Sequence, residues 1–63
     1  MMDDFYNVKR LALVLSVQAE IEGMKADNAN RLTRDESMAY TESDFSSKAN
    51  ELQNLAYCHN EEL

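Results

Sequence analysis

Sixty-three residues carry a net charge of −6, with one cysteine, one histidine, one glycine and no proline. So short a chain forms one domain at most and buries too little surface for a lone core to be secure. The single cysteine excludes an internal disulfide, and one Cys with one His falls short of a four-ligand zinc site, which leaves a partner chain as the expected support.

Met1 to Asp4 is acidic where a signal peptide begins basic, so the start reads as part of the fold, with Asp3 and Asp4 suited to cap a helix and to favour its positive end. From there to Arg34 nothing breaks a helix. Ala, Leu, Glu, Lys and Met dominate, and the β-branched Val8, Val14, Val17 and Ile21 lower the propensity only slightly. The run Leu11 to Val17 is apolar but for Ser16 and too short to span a bilayer. The reading is one helix over about residues 4–33 in a soluble, cytoplasmic protein, a setting that an unpaired cysteine also fits.

This helix has two apolar faces. At 100° per residue, Phe5, Val8, Leu11, Ala12, Leu15, Ala19, Gly23, Ala26 and Ala29 gather on one, and Leu13, Val14, Val17, Ile21, Met24 and Leu32 on the other. Lys9, Glu20, Asp27 and Arg34 form one polar strip between them; Asn7, Gln18 and Lys25 form the second; Arg10 and Glu22 are exceptions inside the faces. Along the first face Ala12, Ser16, Ala19, Gly23, Ala26 and Asn30 make a ridge of small residues at heptad spacing. Close helix packing is expected there at Ala12, Ala19, Gly23 and Ala26. Gly23 costs roughly 1 kcal/mol against alanine inside a helix, which a close backbone contact would explain. Val14, Val17, Ile21, Met24 and Asn28 make a bulkier seam of the coiled-coil kind, read as the oligomer interface, with Asn28 able to fix its register.

Residues 34–41 break the period and read as the connection, with Met38 and Tyr40 tucked back onto the helices. Thr41 followed by Asp44, or Ser43 followed by Ser46, gives a capping signal, with Thr41 the favoured N-cap. A second helix over about residues 42–59 carries Phe45, Ala49, Leu52, Ala56 and His59 on one stripe, and a tail at 60–63 is expected to fray. The fold class is therefore all-α: a two-helix hairpin in a single domain, residues 1–63. The short second helix can cover one face of the first, so the other invites a second chain and a helical-bundle homo-oligomer, a dimer being simplest.

Chemistry is sparse. Cys58 and His59 are adjacent and point about 100° apart on a helix, so they are no nucleophile–base pair. No phosphate-binding glycine loop, nucleophile elbow or Cys-x-x-Cys is present, so neither an enzyme nor a metal or other cofactor is expected. One cluster of donors stands out: Lys25, Asn28, Arg31 and Arg34, with Tyr40 in the adjoining loop, a candidate site for a small anionic, nucleotide-like ligand. Cations at the negative end of a helix explain the same residues without a ligand.

The stretch Ile21-Glu22-Gly23-Met24-Lys25-Ala26-Asp27-Asn28, then Arg31, Ser37-Met38-Ala39-Tyr40, Glu42 and Asp44-Phe45, resembles a pattern in short phage and prophage proteins. That group has no general activity, so the resemblance implies no site residue; it implies a mobile-element accessory role, such as blunting a host defence.

The expectation is thus a non-enzymatic acidic interaction protein that binds another protein through Glu42, Glu51 and the Tyr40 loop and occludes it. The alternatives are an oligomeric sponge for a small anion and a structural assembly adaptor. Net acidity and scattered basic residues argue against nucleic acid as the partner, and no membrane partner is expected.

Overall fold

The computed structural model describes residues 2–63, with side chains from Asp4 onward. Helix α1 spans Met2–Thr33 and α2 spans Glu42–Tyr57; a 3-10 turn, Asn60–Glu62, follows. Among the described residues every element is helical. None of these helices is long and apolar enough to cross a membrane. α1 starts two residues earlier than the sequence pattern indicates, so Asp4 sits inside the first turn, where its charge still suits the helix dipole, and does not cap it. The side chain of Asp3 lies outside the described residues.

The end of α1 is built without glycine. The Glu36 amide donates to the Arg31 carbonyl at 2.8 Å and the Asp35 amide to the Leu32 carbonyl at 3.1 Å, the paired bonds of a Schellman ending. Asp35 takes the left-handed position that such an ending requires, φ 58°. Aspartate is one of the few residues other than glycine that visits this region. The chain thereby reverses, and Asn28 catches the returning segment. Its side-chain oxygen accepts from the Ala39 amide at 3.1 Å and the Tyr40 amide at 3.0 Å, and its side-chain nitrogen donates to the Tyr40 carbonyl at 2.9 Å. Tyr40 is half-buried, as expected, but Met38 stays 60% exposed.

Thr41 is the N-cap of α2, as its spacing to Asp44 foretells: its backbone is extended, and its amide donates to the Asp44 carboxylate at 2.9 Å. α2 ends at Tyr57, two residues short of expectation, because Cys58 turns extended. His59 therefore leaves the helical stripe and caps the short turn instead. The tail closes on itself through Glu62 to the His59 carbonyl at 2.9 Å and Leu63 to the Asn60 carbonyl at 3.1 Å, where a frayed end was anticipated.

α2 runs antiparallel along α1, Lys48 meeting Glu20 and Arg10 meeting Leu55. The molecule measures 51 × 18 × 10 Å with a radius of gyration of 15.1 Å, against about 11 Å for a compact domain of this length. It is one helix thick, so each helix has a covered side and an open one. The α1 residues turned toward α2 are Arg10, Val14, Val17, Ile21, Met24 and Asn28, and among them only Met24 is buried, at 7% exposure, the rest being half-buried. This corrects the sequence reading. The seam Val14, Val17, Ile21, Met24 and Asn28, assigned there to a second chain, is taken by α2 of the same chain. The small ridge Ala12, Ala19, Gly23 and Ala26, assigned to close helix packing, lies exposed. A methyl group added at Gly23 would meet nothing within 4 Å, so within the chain the glycine serves no close approach.

Candidate functional site

Two clefts open along one flank of the hairpin. The larger, about 480 Å³, is lined from α1 by Leu13, Ser16, Val17 and Glu20, from α2 by Glu51, Asn54, Leu55 and Cys58, and from the tail by Glu62. The smaller, about 390 Å³, continues from Glu20 past Gly23 and Met24 to Tyr40, Asp44, Ser47 and Lys48. Glu20 borders both. Its ion pair with Lys48 divides them, and Lys48 also meets Glu51 at 3.0 Å.

The larger cleft lies between the N-terminal half of α1 and the C-terminal half of α2. Leu13, Val17 and Leu55 give it an apolar floor, and Glu20, Glu51 and Glu62 give it an acidic rim. Lys48 pairs with two of these carboxylates, Glu20 and Glu51, and so offsets part of the rim's charge, while Glu62 has no such partner among the described ion pairs. Hydrogen bonds to Glu20 first, and to Glu51 second, hold the Lys48 ammonium above the ordinary lysine value of 10.5. The pair with Glu20 joins the two helices across the cleft; it is an exposed pair, whose contribution is modest and screened by salt.

Behind the Leu55–Cys58 end of the cleft stands a residue that the sequence pattern marks as an exception. Arg10 reaches from α1 to the C-terminus of α2, where it donates to the Leu55 carbonyl, to the Cys58 sulfur at 3.3 Å and to the Asn60 side-chain oxygen at 2.8 Å. The last turn of α2 has no basic residue of its own. A guanidinium there meets unpaired carbonyls and the negative end of the helix dipole together. Two signals in the sequence could have found it. Arg10 stands in register with Val14, Val17, Ile21 and Met24, and α2 ends without a cation.

The donors proposed for a small anion are not gathered. Lys25 pairs with Glu22 at 3.3 Å, Arg31 with Asp27 at 3.2 Å and Arg34 with Glu36 at 3.0 Å, each with a carboxylate a few residues away in the chain. Asn28 is fully engaged with the loop. Of the five, only Tyr40 lines either cleft. The cluster fastens the loop and solvates the end of α1, and the geometry of an anion pocket is missing from it.

Compared with family models, curated proteins and solved structures, the chain matches none.

Proposed function

We propose that this chain is a non-enzymatic interaction protein that docks a basic, partly apolar segment of another protein in the larger cleft and occludes it. The observation that carries the reading is the pairing of an apolar floor at Leu13, Val17 and Leu55 with three carboxylates at Glu20, Glu51 and Glu62. Apolar contact supplies affinity, and the acidic rim steers a basic partner and selects against acidic ones. The surface overlaps the one indicated by the sequence at Glu51, and Tyr40 extends it into the neighbouring cleft. Self-association, a cytoplasmic setting and an accessory role in a mobile element belong to the same proposal. The small-anion sponge has no comparable support, because its donors are spent on neighbouring groups.

The test uses two cleft residues that take no part in the hairpin's ion pairs. Asn54→Lys with Glu62→Lys neutralises the rim, setting two lysines against the remaining Glu20 and Glu51, while leaving the Lys48–Glu20 and Arg10 contacts in place. Capture from the native host should recover a partner with the unaltered protein. That partner should be weakened about tenfold or more by the double variant, or about 1.4 kcal/mol, and weakened again by raised salt. A partner held equally by both proteins at unchanged helicity would refute the cleft as its binding site.

A further inference from the structure

The side of α1 that faces away from α2 is the more apolar of its two exposed surfaces. Phe5 is 61% exposed, Val8 67%, Leu11 58% and Leu15 58%. At 100° per residue Val8 and Leu15 lie about half a turn from the Val17–Ile21–Met24 line that α2 covers, with Phe5 and Leu11 about a third of a turn from it on either side. They share their face with Ala12, Ala19, Gly23, Ala26 and Ala29 and with one charged residue, Glu22, which pairs with Lys25; all are exposed. The large residues thus occupy the N-terminal half of the stripe and most of the small ones the C-terminal half.

That gradient makes the stripe complementary to itself in one direction only. We infer that α1 pairs antiparallel with α1 of a second copy through this face, about a two-fold axis near Val17. In that register Phe5 lies opposite Ala29, Val8 opposite Ala26 and Leu15 opposite Ala19, so every bulky side chain meets a small one. Leu11 falls opposite Gly23, which gives the open glycine a close neighbour that the single chain does not supply. A parallel pair would set Phe5 against Phe5 at one end and Ala29 against Ala29 at the other, crowded at the first and gapped at the second.

Area and charge point to the same occupant. The chain exposes 4954 Å² for 7.2 kDa, where a folded monomer of that mass exposes about 4,100 Å². The excess is of the order that one partner contributes to a standard interface, about 800 Å². The charge of −6 is carried elsewhere. α1 holds Asp3, Asp4, Glu20, Glu22 and Asp27 against Lys9, Arg10, Lys25 and Arg31, so it is nearly neutral. The acidic α2 lies on the far side of each α1. Antiparallel pairing also opposes the two helix dipoles.

The inference rests on the self-association proposed above and assigns it a face and a register. Sedimentation should give the mass of two chains for the unaltered protein. Leu15→Lys, at a position exposed in the single chain, should keep its helical circular dichroism and sediment as one chain. In a Cys58→Ser background, Gln18→Cys lies beside the two-fold axis and should be joined to its counterpart by a short bismaleimide. Ala29→Cys should not be, since the two copies of residue 29 stand about 36 Å apart along the helices. A single-chain mass for the unaltered protein would overturn both the pairing and the proposal of self-association. A two-chain mass that survives Leu15→Lys, or cross-linking of Ala29→Cys to itself, would overturn this face or this register and leave self-association standing.

Discussion

The two apolar faces of α1 differ less in composition than in what meets them. On one, Val14, Val17, Ile21 and Met24 lie under α2, with Arg10 and Asn28 at the ends tying down the C-terminus of α2 and the returning loop. On the other, Phe5, Val8, Leu11 and Leu15 stand in the open. The difference shows that the choice of face is made by polar residues. Apolar matching alone would serve either side, but Asn28 is in register with the Val17–Met24 line, and it holds the backbone of Tyr40 just before α2 begins. Once the loop is fixed there, α2 descends along that side. A face without such anchors remains open for another chain.

If the covered face carries the fold and the open one does not, truncation should separate them sharply. Met24→Ala truncates the most buried side chain among the described residues and should lower unfolding free energy by about 2 kcal/mol or more, measured by urea denaturation at a concentration where the protein is monomeric. Leu15→Ala under the same conditions should change it by no more than about 0.5 kcal/mol. Equal losses at the two positions would remove the distinction between the faces.

A smaller effect tests the anchors. Arg10→Gln takes the guanidinium from the end of α2 and should cost about 1 kcal/mol, with faster amide exchange confined to the last turn of α2 and the Asn60–Glu62 turn. Uniform exchange throughout the chain would mean that Arg10 does not act as a cap.

The smallest expected change concerns Lys48, which bridges the helices from the cleft side. Its value is raised in the folded chain, so its stabilising contribution is complete below the ordinary lysine value of 10.5 and disappears as pH climbs through the raised one. The thermal midpoints of the unaltered protein and of Lys48→Met should differ by a constant amount from neutral pH to about pH 10 and draw together above it. A difference that instead closes between neutral pH and about pH 9 would assign the effect to other groups.

Much of the local structure was legible in the residues. The break after Arg34 follows from lost periodicity, and the start of α2 from Thr41 and Asp44. The ending of α1 was not legible, because Asp35 adopts a backbone state that aspartate visits only occasionally, and no glycine marks it. The early stop of α2 was missed for a related reason: His59 continues the stripe of Phe45, Ala49, Leu52 and Ala56, and no glycine or proline marks Cys58, where the backbone turns extended beside Arg10. The cleft had no sequence signature, since Leu13, Leu55 and Glu62 come together only when α2 and the tail are placed. The proposed anion cluster was visible as a set of donors, but the carboxylates that occupy them, Glu22, Asp27 and Glu36, were visible too and were given too little weight.

What the amino-acid order determined by itself is everything set by neighbours within a turn or two: two helices, one connection, a capped second start and two greasy sides on the first helix. Which of those sides is used inside the chain was decided only in three dimensions. That outcome depends on contacts across eleven residues or more, Asn28 to the Tyr40 backbone, Glu20 to Lys48 and Arg10 to Leu55, and no local period encodes the direction in which a loop returns.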